Sequence, residues 1–160
     1  MNIWYLASVF CHILFAAFWI GGMLFLPLVL LPGIKQHPDR IALLYKTGLK
    51  FRFWGWIAVS GLLTTGILNL YFRGIPFTWT FFTQSKYGML VSWKAGIFLG
   101  MLTISSIHDF ILGNKALDEM QRKDNIRFRQ FARWSGRINL ILALIIAFLG
   151  VVLSRGAWIG

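Results

Sequence analysis

The chain has 160 residues, of which 58% are hydrophobic and 13% are charged, and its formal net charge is +11. A water-soluble domain carries about 25% charged residues, so this composition excludes a soluble globular protein. The 16 Lys and Arg residues outnumber the 5 Asp and Glu residues, which in a membrane protein indicates orientation by the positive-inside rule, and we expect no nucleic-acid partner.

Four apolar runs are long enough to cross the hydrocarbon core of a bilayer, which takes about 20 residues. They cover residues 3–31, 53–72, 87–109 and 136–155. None of them alternates between polar and apolar residues as a barrel strand does, so helices are favoured. The sequence therefore predicts an all-α integral membrane protein, a single domain over residues 1–160 that forms a four-helix bundle within the lipid bilayer.

Basic residues concentrate in two of the connecting segments, residues 33–52 and 109–137. The positive-inside rule assigns both to the cytoplasm, so that both chain termini lie outside (N-out/C-out). These segments are predicted to be helical extensions of the bundle, with Asp39 and Asp124 as helix caps. Gly113–Asn114 is expected to end the third helix.

Ionisable side chains in the first and third spans are costly in hydrocarbon and are therefore expected to face the bundle interior. His12 lies eight residues after Trp4, about 12 Å into the span, and Lys94 lies seven residues after Tyr87, about 10 Å in. The two side chains should thus share a depth, near the outward-facing side of the bundle.

Other residues at helical spacing share one face of the span with each of these two residues. Tyr87, Lys94, Met101 and His108 recur every seven residues and form one stripe, and His12, Trp19 and Met23 lie on one face of the first span. His108 lies about 21 Å from Lys94 along the helix, at a second polar level with Asp109, Arg137 and Asn139. His12 and His108 are therefore too far apart to ligate one haem iron together, and an ion pair between Asp109 and Arg137 would be an ordinary structural feature at this level.

Two cofactor chemistries remain open, copper and haem b. Cu(I) prefers thioether, thiolate and imidazole ligands, and the candidate metal ligands are His12, Met23, Met101 and His108, which are spread in depth like stations along a path. A b-type haem needs an axial ligand and cations for its propionates, and the candidate cofactor-binding residues are His12, Trp19, Lys94, His108 and Arg137. Alternatively, the same polar residues only hold the helices together in a non-catalytic assembly subunit.

Motifs in three spans resemble the CopD (copper resistance protein D) superfamily. They are His12, Trp19–Gly22 and Pro27 in the first span, Thr65–Gly66 with Asn69 in the second, and Tyr87-Gly88-x-Leu90 followed by Lys94 in the third. The resemblance implies a multi-pass protein of the bacterial-type inner (plasma) membrane that handles copper, in uptake or homeostasis, with a periplasmic copper protein as a partner. The related HemJ-type branch implies haem binding, and only there do we expect an enzyme, a haem-dependent oxidoreductase. Self-association into a homo-oligomer is a further expectation.

Overall fold

The computed structural model describes residues 2–121 and 126–155, with the side chains at positions 108, 110–121, 126–129 and 131–133 left outside the description. Within these ranges every regular element is a helix. Four of the helical stretches are long and apolar enough to cross a membrane: Ile3–Gly33, Arg40–Phe72, Lys86–Ile107 and Trp134–Arg155. The predicted all-α architecture with four candidate spans is confirmed.

The first span is a composite helix. Helix α1 (Ile3–Phe25) begins at Asn2, whose side chain accepts a hydrogen bond from the Trp4 amide. A π-helical turn at Leu26–Leu30, which contains Pro27, leads into the short helix α2 (Leu31–Gly33). Proline has no N–H to donate to the α-helical ladder, so the hydrogen-bond pattern changes locally at Pro27.

The remaining elements are α3 (Arg40–Phe72), α4 (Trp79–Gln84), α5 (Lys86–Gln121) and α6 (Ile126–Arg155). Helix α3 begins at Arg40, well before its predicted apolar run at residue 53, so the segment is a continuous extension of the span, as predicted for this connector. Helix α5 passes through Gly113 and Asn114, and the helix end predicted there is wrong. A Gly costs only about 1 kcal/mol in a helix interior, which does not break a long helix. The predicted cap at Asp124 lies outside the described residues.

The four long helices pack in a ring. Helix α1 packs along α3 and α5 along α6, while α1 also touches α6 and α3 touches α5, so α1 lies across the bundle from α5. Successive long helices run in opposite directions, and the ends of the bundle are named here by residues close to them: the Arg73 end and the Asp109 end. The buried apolar core is small and consists of Ala58, Val59, Met101 and Ala143. Most other large apolar side chains point outward, as lipid contact requires.

Aromatic rings seated on glycines set the register of α1 against α3. The Phe15 ring lies against Gly61, the Phe51 ring lies against Gly22, and Trp19 comes within 2.6 Å of the position that a Cβ at Gly55 would take. A side chain at any of these glycines would overlap a ring, so the two helices can approach closely only in this alignment. This alignment brings the polar residues of α1 and α3 to one level.

Candidate functional site

His12 of α1 is held by Thr65 of α3. The His12 Nδ1 atom lies 2.7 Å from the Thr65 hydroxyl oxygen, which in turn lies 2.6 Å from the backbone carbonyl oxygen of Gly61. A carbonyl can only accept, so the single hydroxyl proton of Thr65 is donated to Gly61, and Thr65 accepts from His12 Nδ1–H. In the neutral imidazole, Nε2 then carries no proton, and its lone pair is available to a ligand.

A second hydrogen bond ties the same two helices one turn away. The buried Ser8 hydroxyl, four residues before His12, donates to the Thr65 backbone carbonyl at 3.3 Å. Ser8 and Thr65 are only 7% and 8% exposed, so both contacts are shielded from lipid and water. The orientation of the imidazole is therefore fixed from its Nδ1 side, as second-shell partners commonly fix metal-binding histidines.

Lys94 of α5 reaches the same level from across the bundle. It is close enough to His12 for the two side chains to interact electrostatically. The Lys94 Nζ atom lies 3.1 Å from the position that a Cβ at Gly150 of α6 would take. The His12 Cε1 atom lies 3.6 Å from the position that a Cβ at Gly66 of α3 would take. All four long helices thus contribute to one place, the His12–Lys94 level, which comprises His12, Thr65, Gly66, Lys94 and Gly150.

No described side chain compensates the charge of Lys94, which has neither a hydrogen bond nor an ion pair within the described ranges. The acidic residues of the chain are all at other positions: Asp39, Asp109, Asp118, Glu119 and Asp124. Asp109 is fifteen residues further along α5, about 22 Å away. The ammonium group therefore faces the interior without a carboxylate of its own.

Arg73 joins three helices at its end of the bundle. Its Nε donates to the Tyr5 hydroxyl and its Nη1 to the Tyr87 hydroxyl, both at 2.8 Å. Tyr5 precedes His12 by seven residues and Tyr87 precedes Lys94 by seven, so the Arg73 cluster (Tyr5, Arg73 and Tyr87) lies about 10 Å beyond the His12–Lys94 level along both helices. Sequence reasoning missed Arg73 and Tyr5, although the heptad spacing from His12 was a usable signal for Tyr5.

The second polar level is arranged differently from the expectation. The Trp56 indole N–H donates to Asp109 Oδ2 at 2.9 Å, and the Asn139 amide donates to Ser105 at 2.7 Å. Arg137 is exposed, with its guanidinium 5.6 Å from the Trp134 ring centre. The expected Asp109–Arg137 ion pair is therefore corrected to a Trp56–Asp109 hydrogen bond, because the guanidinium lies over the indole of its own helix. The His108 side chain lies outside the described residues.

The other candidate ligands do not gather around His12. Met23 is half-buried eleven residues further along α1, about 16 Å away. Met101 is 2% exposed in the core, about 10 Å along α5 from Lys94, and Cys11 is exposed on the outer face of α1. Among the described residues there is no cluster of three His, Cys, Asp or Glu side chains that could hold a metal. The donors are thus separated in depth, as their sequence spacing indicates.

Trp19 is occupied by packing between α1 and α3. Its ring stacks on Phe51 with centroids 5.9 Å apart and lies against Gly55. The indole N–H is buried and finds no acceptor within the described part of the chain. The structure thus places Trp19 in the helix–helix interface.

Side chains fill the space that the described residues leave around His12. The imidazole lies against Thr65 and Gly66, and Lys94 lies against Gly150, so side chains already reach the facing backbones. A groove of about 550 Å³ lies elsewhere on α3, lined by Leu49, Arg52, Phe53, Trp56, Ile57 and Ser60. A single metal ion needs far less space than a porphyrin, and the imidazole of His12 can supply one of its ligands.

Comparisons with known proteins relate the chain to a described family. The family described as Copper resistance protein D (CopD) matches residues 46–153. The chain is 33% identical over 150 residues to an "Uncharacterized protein" of Aquifex aeolicus (strain VF5), covering 92% of this chain and 94% of that one. No solved structure matches the chain.

Two curated relatives carry copper in their names. "Copper transport protein CutJ" of Bacillus subtilis (strain 168) is 32% identical over 83% of this chain, which spans 23% of that protein. "Copper resistance protein D" of Pseudomonas syringae pv. tomato is 24% identical over 98% of this chain, which spans 48% of that protein. The chain thus covers about a quarter and about half of the lengths of these two relatives. The predicted family is confirmed: the chain belongs to the CopD family, a copper-associated family of membrane proteins.

Proposed function

We propose that this chain is a copper-handling membrane domain, acting in copper uptake or homeostasis, in which His12 contacts the metal. The observation that carries the proposal is the anchoring of His12 Nδ1 by Thr65, which leaves Nε2 with its lone pair. Imidazole is a suitable ligand for copper, and the names of two relatives refer to copper. The level at which His12 lies receives residues from all four long helices.

The site is built for passing copper on rather than storing it. One imidazole is a small ligand set, and the nearby Lys94 ammonium repels a cation by Coulomb interaction. Both features weaken the binding of a copper ion, so the ion can be released readily to the next site. Met101 and Met23 offer thioether sulfur atoms deeper in the bundle as further stations.

We also propose that the Arg73 end faces the periplasm in a bacterial-type inner membrane. The basic segments 33–52 and 109–137 belong to the opposite end of the bundle, and the positive-inside rule favours the cytoplasm for them. His12 then lies nearer the periplasmic surface, where a periplasmic copper protein would deliver its cargo.

The experiment compares two histidine variants of the detergent-purified protein. After anaerobic equilibrium dialysis against Cu(I), we expect His12→Ala to lose the bound copper measured by mass spectrometry. The matched control is His37→Ala, because His37 is exposed in the connector before α3 and bonds only to the Asp39 backbone amide; it should retain copper.

Equal copper in the two variants would refute a role for His12 as the contact. An absorption spectrum of the same samples distinguishes the alternative function. A Soret band that disappears in His12→Ala would establish haem binding instead of copper handling, and neither copper nor a Soret band in the wild type would leave the non-catalytic assembly role.

A further inference from the structure

The Arg73 half of the bundle carries positive charge and no acidic side chain. Arg73 and Lys94 lie in this half, whereas the nearest acidic residues along the chain are Asp39 and Asp109. Lys94 is the more interior of these two cations and has no counter-ion among the described residues. A charge that is taken out of water requires compensation, which a bound anion would supply.

The positive charges of this half of the bundle repel a bare copper ion. A cation that approaches His12 Nε2 is repelled by Lys94, which interacts with His12 itself, and it must also pass the guanidinium of Arg73. An anion is attracted along the same route, because positive residues concentrate anions near them. The arrangement of charges therefore favours a negatively charged form of the cargo.

We propose that the His12–Lys94 level accepts Cu(I) as an anionic complex with a soft anion such as a halide or thiolate, with His12 Nε2 on the metal and Lys94 on the anion. This inference rests on the proposed function and specifies the form of its substrate. Thr65 keeps the imidazole proton on Nδ1, so no proton has to leave when Nε2 binds the metal.

The step is a ligand exchange without electron transfer. From a two-coordinate complex CuX₂⁻, the Nε2 lone pair forms a Cu–N bond, one Cu–X bond breaks, and X⁻ leaves as an anion. Copper remains Cu(I). The product His–Cu–X is neutral at the metal, and the released X⁻ pairs with the ammonium of Lys94, so the net charge of the level is also zero.

The test measures Cu(I) affinity in bromide and in nitrate at equal ionic strength. Bromide holds Cu(I) as an anionic complex, so it weakens binding to an isolated imidazole but not to a site that accepts the complex. We expect wild-type protein to bind Cu(I) at least as tightly in bromide as in nitrate. We expect Lys94→Leu, which removes the charge without adding a copper ligand, to bind about tenfold more weakly in bromide than in nitrate, because a Coulomb contribution of this size is lost.

Two further variants serve as controls. Lys94→Arg keeps the charge and should behave like the wild type, which separates the charge from the packing of the side chain. Arg155→Gln removes an exposed cation at the same end of the bundle and should also leave the bromide-to-nitrate ratio unchanged. X-ray absorption at the copper edge provides a second readout, since a bromide neighbour should be visible in the wild-type protein.

The outcomes separate the two proposals. If Lys94→Leu shows the wild-type ratio and the copper spectrum contains no bromide neighbour, the anionic form of the cargo is refuted. Copper binding that His12→Ala abolishes would still keep the proposed function intact. If His12→Ala retains copper but the effect of Lys94 on the bromide ratio persists, the reverse holds: the anion contact stands and the role of His12 fails.

Discussion

At the scale of single residues, the hydroxyl of Thr65 determines which nitrogen of His12 can bind a ligand. Its one proton goes to the Gly61 carbonyl, so its oxygen accepts from His12 Nδ1. The spacing from Trp4 places His12 at its depth, but the choice of Thr65 was not predictable. Several small or polar residues lie on α3, and only the rotation of α3 about its axis decides which of them meets the imidazole.

A substitution at Thr65 tests this arrangement. Thr65→Val keeps the shape of the side chain and removes the acceptor of His12 Nδ1–H, so the imidazole loses its fixed tautomer and orientation. We expect Cu(I) affinity to fall about tenfold or more, the usual effect of losing a second-shell partner. The measurement is a competition titration against a chromophoric Cu(I) chelator.

The control for this variant is the neighbouring residue. Thr64 is exposed, and its hydroxyl bonds only to the Ser60 carbonyl of its own helix. Thr64→Val should therefore leave Cu(I) affinity unchanged. An equal loss of affinity in both variants would show that Thr65 acts through the general packing of α3 and not through His12.

At the scale of elements, glycines decide how closely the helices approach. Gly88 in the first turn of α5 lies directly against the Phe81 carbonyl and the Ser85 hydroxyl of the α4 segment. Rings on α1 and α3 can shift a little around a new methyl group, but a backbone carbonyl cannot. Gly96, on the same helix, faces open space.

These two glycines give a matched pair for stability. Gly88→Ala should destabilise the protein by about 1–3 kcal/mol, as overpacking does, and lower the melting temperature in detergent. Gly96→Ala should leave the melting temperature unchanged or raise it, since Ala exceeds Gly in helix propensity by about 1 kcal/mol. Equal melting temperatures for the two variants would mean that α4 is not packed on α5 as described.

The bounds of the helices show what periodicity can and cannot predict. The apolar runs identify the parts of α3 and α5 that cross hydrocarbon, but both helices continue beyond them, α3 starting at Arg40 and α5 ending at Gln121. Where the chain leaves the apolar run, polar residues with adequate helix propensity continue the hydrogen-bond ladder. The change from apolar to polar therefore marks the end of the membrane-crossing portion and not the end of the helix.

At the scale of the whole molecule, the order of the helices around the ring brings His12 and Lys94 together. They belong to α1 and α5, which face each other across the bundle. That the two residues lie at one level of the bundle was predictable from helical rise. Their meeting required the ring arrangement, because two residues at the same depth can equally well face lipid on opposite sides.

The orientation of the bundle remains a prediction from charge and can be tested directly. In a Cys11→Ala background, Gln36→Cys should react with an impermeant maleimide only in inverted membrane vesicles, and Pro76→Cys only in spheroplasts. Gln36 and Pro76 are both exposed, in connectors at opposite ends of the bundle. The reverse pattern of labelling would place the His12–Lys94 level near the cytoplasm.

Local sequence patterns predict the number of candidate spans, their helical character, the CopD family and the positions of His12 and Lys94 along their helices. These depend on the length of apolar runs, on local motifs and on a constant rise per residue, all of which are local properties. The tertiary structure alone decided the partners: Thr65 for His12, Arg73 for Tyr5 and Tyr87, and Trp56 for Asp109. The physical reason is that contacts between helices set the rotation and register of one helix against another. Rings such as Phe15 pack on glycines of the facing helix. Such a contact depends on two surfaces at once, so it cannot be predicted from either segment alone.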